Sequence, residues 1–178
     1  MTDADRRLTK KGREEILAVA RWMQSQGIRY SLIARSPLVR AQETAEIVAG
    51  VIGPVRVVAW KSLIPGGNPD TVCREIGKHP EESAILLVGH EPLLSSLIGR
   101  IISGDPGAGI AMTKGALAKI RNFSYTNRPS GGTPLASHGE TDGRAEISGD
   151  PKTGVFAVCP VCCQIKNRGC SNPAKLQV

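Results

Sequence analysis

Aromatic side chains are scarce in this chain: two Trp, two Tyr and two Phe among 178 residues. Six rings offer little on which the bases of a single strand could stack, and the net charge of +7 is not gathered into a stripe. It divides into +4 over residues 1–120 and +3 over residues 121–178, which argues against a nucleic-acid partner. Long apolar runs are missing as well. No stretch approaches the ~20 residues that a membrane span needs, and the opening Met1 to Arg7 carries no apolar signal core. The expectation is a cytoplasmic chain with no membrane partner. Cysteine is limited to five residues, four of them crowded between Cys159 and Cys170. In a chain this long without a signal they read as thiols or metal ligands rather than a disulfide framework. No internal repeat is visible. What is present, 40% hydrophobic and 22% charged residues, suits one globular domain with an appendage.

From Lys10 to about Ser103 helical and extended patterns alternate, the signature of helices layered on a mainly parallel sheet. Ile16, Val19, Ala20 and Met23 recur at helical spacing before Gly27, predicting a helix over 12–26. A strand is expected from Tyr30 to Ala34. Ser36-Pro37 then reads as an N-cap and first turn for a helix with Leu38, Ala41, Ala45 and Val48 on its apolar face, ended by Gly50 and Gly53. A short strand from Val55 to Trp60 precedes a helix opened by Asn68-Pro69, and Ala84 to Val88 reads as a buried strand. Pro92 begins another helix, and Gly115 to Phe123 is a final strand whose lysine and arginine suit a sheet edge. Between Ser124 and Gly154 few apolar residues stand among many Gly, Ser, Thr and Pro, too few to offset ordering entropy. The predicted organisation is therefore an α/β domain over 1–123 and a flexible, cysteine-bearing tail over 124–178.

Two candidate sites fall at the carboxyl ends of predicted strands, where open α/β sheets bind ligands. The first runs from Arg35 to Thr44. With Ser36 as N-cap, the helix start presents backbone N–H groups and a favourable dipole to an anion. Arg40, one turn in, leans back toward that end with a guanidinium fork. The second site is Val88-Gly89-His90-Glu91-Pro92. A histidine at a strand tip beside another helix start can face the same crevice and donate a hydrogen bond to a phosphate oxygen. His79, followed by Pro80 in a polar loop, reads as solvated.

These words resemble the histidine phosphatase superfamily and, within it, the small phosphohistidine phosphatases of the SixA type. The matching elements are Arg7-Leu8-Thr9 with Gly12, Ser36 to Thr44, Leu63-Ile64-Pro65-Gly66-Gly67, and Val88 to Pro92, in the family's order and spacing over about residues 3–120. The resemblance implies a three-layer, phosphoglycerate-mutase-like α/β sandwich. It also implies a phosphate pocket holding Ser36, Arg40 and His90, the last two as phosphate-binding arginine and second histidine, and no metal or other cofactor. The implied substrate is a phosphohistidine-bearing protein or a small phosphorylated molecule. In-line attack by a nucleophilic histidine would give a phosphohistidine enzyme intermediate, with arginines and the second histidine neutralising the equatorial oxygens. The family's acid for alkoxide leaving groups has no counterpart here, which fits phosphohistidine, whose imidazole leaving group is far less basic.

The departure from the family lies before Met1. The apolar strand ending in Arg-His-Gly, which carries the nucleophile, has no equivalent, so the sheet is expected to lack its first strand and to leave a gap. The corresponding expectation is that the functional domain begins upstream of Met1. His138-Gly139-Glu140 copies the lost motif only superficially, because Ser137 replaces its arginine and Gly131 to Pro134 replace its strand. Without a nucleophile the chain would be a non-catalytic phosphate-binding module. A zinc-linked interaction protein is the other alternative, since Cys159-Pro160-Val161-Cys162 is half a zinc pattern that Cys163 and Cys170 could complete. Adjacent Cys162 and Cys163 fit one tetrahedron poorly, so no metal site is assigned.

Overall fold

The computed structural model describes residues 3–120 and, as backbone, the strand 154–158. After a 3-10 turn at Asp3–Asp5 come α1 (Lys10–Ser25), β1 (Leu32–Arg35), α2 (Val39–Ile52) and β2 (Arg56–Ala59). These are followed by α3 (Pro69–Ile76), β3 (Ala84–Val88), α4 (Leu93–Ser103), β4 (Leu117–Ile120) and β5 (Gly154–Val158). The sheet order is β2-β1-β3-β5-β4, with β4 antiparallel to β5 and the other neighbours parallel. This is the expected layered α/β architecture.

Alternation along the central strands sorts the core into two layers. Leu32 and Ala34 of β1 and Ile85 and Leu87 of β3 face one cluster with Val72, Cys73 and Ile76 of α3 and Leu93, Leu94 and Leu97 of α4. Ile33, Leu86 and Val88 face the other cluster with Ile16, Ala20 and Met23 of α1 and Ala41, Ala45 and Val48 of α2. Every residue of β3 is buried, as a strand covered on both faces should be.

Local chemistry sets the helix starts. Thr9 caps α1 by accepting from the Gly12 N–H at 3.0 Å, and Asn68 caps α3 by accepting from the Asp70 N–H at 2.8 Å, ahead of Pro69. Before α3 the chain passes close to itself at Gly67, where a Cβ would stand 2.3 Å from the Ser62 carbonyl oxygen and 3.1 Å from a Leu93 methyl. The obstacle at the shorter distance is backbone. Gly67→Ala is therefore expected to destabilise the fold by about 2 kcal/mol, read as a lower urea midpoint; an unchanged midpoint would show that this turn relaxes freely.

Two sequence expectations need correction here. Ser36 is not the N-cap of α2: the helix begins at Val39 behind Leu38, because the Ser36 N–H already donates to the Val88 carbonyl at 2.9 Å and prolongs the β1–β3 ladder. The Ser36 hydroxyl instead accepts from the Leu38 N–H at 3.4 Å. The tail expected to be flexible from residue 124 contributes β5, where Val155-Phe156-Ala157-Val158 supplies a short apolar run that the polar composition before it obscured. β5 stands between β3 and β4, so no gap separates the described strands. The final strand spans Leu117–Ile120, half-buried, at the sheet edge; Arg121 to Phe123 lie outside the described residues.

Candidate functional site

Parallel pairing sets Arg35 beside Val88, so β1 and β3 end together and release the chain toward α2 and α4 from the same end of the sheet. The sequence placed Arg40 and His90 in a crevice between those two helix starts; both residues stand at this end of the sheet, near enough for the Arg40 charge to act on the His90 ring. At Gly89 the chain leaves β3 in close contact with α4, where a Cβ would come 3.0 Å from a Leu94 methyl. The Leu94 N–H then donates to the His90 carbonyl at 3.0 Å, fixing the turn into α4.

Arg40 lies in the first turn of α2 and is buried. Its two terminal nitrogens grip Asp3: Nη1 donates to the Asp3 carbonyl at 2.8 Å and Nη2 to the carboxylate Oδ2 at 3.1 Å. The hydrogen bond from Arg40 holds the Asp3 carboxyl below its ordinary range, with Arg6 assisting from the other oxygen at 3.1 Å. The third guanidinium nitrogen, Nε, is buried and has no hydrogen-bond partner among the described residues.

His90 is buried too, and its Nε2 likewise lacks a partner among the described residues. Burial pushes the imidazole pKa down to about 4, the Arg40 charge pushes the same way, and the Asp3 charge opposes both. At neutral pH the ring is uncharged. It can donate through one nitrogen and accept through the other.

A third group went unassigned in the sequence. Glu43, one turn beyond Arg40 and also buried, accepts from the Leu8 N–H at 2.8 Å and from Arg7 Nε at 2.7 Å, and pairs with Arg13 at 2.6 Å. Burial raises its carboxyl pKa, but Leu8 together with the two arginines outweighs that and leaves it below the ordinary value. The acid thus fastens the segment before α1 onto α2, close to the crevice. Its signal in the sequence was position: Arg40, Glu43 and Thr44 interrupt an otherwise apolar helix face at spacings of three and four.

The remaining candidates lie elsewhere. His79 is not simply solvated: its ring stacks on Trp60 with centroids 5.6 Å apart, because the loop after α3 folds back over the end of β2. His138 and the cysteines from Cys159 to Cys170 lie outside the described residues. A cavity of about 450 Å³ opens at the amino ends of β1 and β2, lined by Gln24, Tyr30 and Pro54, at the opposite end of the sheet from Arg40 and His90.

Residues 2–64 match the family model of the histidine phosphatase superfamily, branch 1. A protein of Picosynechococcus with no assigned function is 32% identical over 123 residues, covering 67% of this chain and 74% of its own length. The phosphohistidine phosphatase SixA of Escherichia coli K12 is 26% identical over 107 residues, covering 58% of this chain and 66% of its own. A solved structure of the protein histidine phosphatase SixA complexed with tungstate superposes with a TM-score of 0.59 at 23% identity, covering 66% of this chain and 76% of that one. The chain belongs to the histidine phosphatase superfamily. Within it, the likeness is to the SixA type, and the chain spans about two thirds of the length of the Escherichia coli protein.

Proposed function

We propose that the crevice receives the phosphoryl group of phosphohistidine and that the chain is a phosphohistidine phosphatase of the SixA type. One observation carries this reading. Arg40 and His90 each keep a buried nitrogen without a partner among the described residues, and the rest of the Arg40 fork already holds an anionic group. Burying such nitrogens unpaired costs on the order of 1–3 kcal/mol each, a cost that a tetrahedral oxyanion would offset. Arg40 would take two phosphoryl oxygens with its planar fork, and neutral His90 would donate to a third as charge builds in the transition state. Ser36, buried at the tip of β1, orders the turn on which Arg40 stands.

The proposed reaction is in-line transfer. A bond from the nitrogen of a nucleophilic histidine, which is neither His90 nor any other described residue of the crevice, to phosphorus would form as the bond from phosphorus to the substrate imidazole breaks, and water would then take the phosphoryl group from that histidine. The departing imidazole is a modest base and needs little help from a general acid. The partner would be a phosphohistidine-bearing protein or a small phosphorylated molecule.

One observation favours a second reading, a phosphate-binding module without turnover: among the described residues His90 is the only histidine beside Arg40, and the family resemblance gives it the charge-stabilising role rather than that of the nucleophile. A phosphohistidine peptide separates the two. Release of inorganic phosphate over many turnovers, with a phosphoserine peptide left intact, is the result expected of the phosphatase and requires a nucleophile other than His90. Saturable binding of phosphate with no release from either peptide would select the module, and absence of binding would remove both.

A further inference from the structure

Asp3 occupies the very fork that the proposed function assigns to a phosphoryl group. Its carbonyl and its carboxylate together take both terminal nitrogens of Arg40, at 2.8 and 3.1 Å, so Arg40 spends its strongest donors on the chain itself. The two ends of this contact differ sharply: the Arg40 side chain is 6% exposed, whereas the Asp3 side chain is 58% exposed. The buried cation is fixed and its anion is loosely held.

The reason lies in how the segment is fastened. At Leu8 it is anchored by the Glu43 carboxylate through the backbone N–H and, one residue earlier, through Arg7. Asp3, five residues before that anchor, sits in a single 3-10 turn with no buried residue. Apart from Arg40, its contacts among the described residues are local ones to Arg6, a side-chain pair at 3.1 Å and a long backbone bond at 3.4 Å. A carboxylate on so short a tether presents itself to Arg40 at an effective concentration on the order of millimolar. It carries one charge and offers one side-chain oxygen to the fork, whereas a phosphoryl group carries more charge and more acceptors, enough for Arg40 Nε and His90 Nε2 as well.

We infer that Asp3 is a specificity-determining residue of the crevice, a built-in carboxylate competitor that an incoming phosphoryl group must displace from Arg40. The inference rests on the phosphate-binding reading of Arg40. Its consequence is selection. Ligands that merely replace one carboxylate contact gain nothing over the internal one, while a tetrahedral dianion that also reaches the two nitrogens left without a partner among the described residues wins the exchange.

Inorganic phosphate binding by calorimetry at fixed ionic strength tests this with three variants of the full chain. Asp3→Asn keeps the size and backbone of the residue but weakens the competitor, and is expected to tighten phosphate binding about ten-fold. Glu14→Gln, which removes the same charge from the exposed face of α1, is expected to change it less than two-fold. Equal tightening by both variants would reduce the effect to net charge and overturn the inference, as would phosphate binding by Asp3→Asn indistinguishable from that of the parent. Arg40→Ala reports on the underlying reading separately: if it binds phosphate as well as the parent does, the phosphate site is elsewhere and the competitor role falls with it. Amide resonances of residues 3–6 should also move as phosphate saturates the parent chain, and resonances that stay fixed would show that Asp3 never leaves Arg40.

Discussion

Replacing Arg40 with alanine is expected to weaken binding of phosphate or tungstate by about 100-fold or more. The magnitude follows from the number and kind of donors lost. Each charge-assisted hydrogen bond is worth about 1.5–3 kcal/mol, and two lost together correspond to at least two decades in affinity. The fold should survive. The Thr44 hydroxyl bonds to the Arg40 backbone carbonyl at 2.8 Å, a contact that does not depend on the side chain, and Asp3 is exposed enough to return to water at little cost. Arg40→Lys makes the sharper comparison, because an ammonium restores the charge without the planar fork and should recover only part of the affinity. Calorimetry on the parent and both variants, with circular dichroism as the fold control, gives the answer. Unaltered affinity in Arg40→Ala would remove this arginine from the site.

Much of this crevice was legible in the sequence because strand ends and helix starts leave local marks. The apolar run Ala84 to Val88 followed by Gly89-His90 fixed where β3 stops and which residue emerges, and Arg40 followed from its place one turn into a helix. The exact cap was not legible. Serine before proline is a strong local signal for a helix start, but the Ser36 N–H is drawn into the sheet by Val88, a partner 52 residues away that no local pattern reveals. Asp3 and Glu43 were missed for a related reason. Their roles come from contacts across 37 and 36 residues, with Arg40 and Arg7 respectively, and an acidic side chain looks alike in sequence whether it meets solvent or a guanidinium. β5 was hidden by averaging, since five strand residues carry little weight inside a long stretch rich in Gly, Ser and Pro.

Stability should fall as the pH drops from about 6.5 toward 4, and His90 should be the cause. In the unfolded chain its imidazole takes up a proton near the ordinary 6.5, but in the folded chain burial, followed by the Arg40 charge, delays protonation to about 4. Between those values the unfolded state binds a proton that the folded state refuses, so unfolding becomes easier with each step down in pH, and above 6.5 this contribution is flat. The full span corresponds to roughly 3 kcal/mol, of which about 2 kcal/mol is already lost at pH 5. Asp3, Glu43 and Glu82 are held below their ordinary values, so their stabilisation is lost only as the pH falls below the usual carboxylate range, a lower window. Urea unfolding at pH 5 and pH 7.5 isolates the histidine, and His90→Asn should abolish most of the difference; an imidazole titration followed by NMR gives the same answer in the parent if that variant folds poorly. Phosphate ties this limb to the crevice. A bound dianion would oppose both burial and the Arg40 charge, raising the His90 pKa back toward 6.5, so saturating phosphate should flatten the profile between pH 5 and 7.5. A parent chain equally stable at both pH values without ligand would show that His90 is not held neutral by its surroundings.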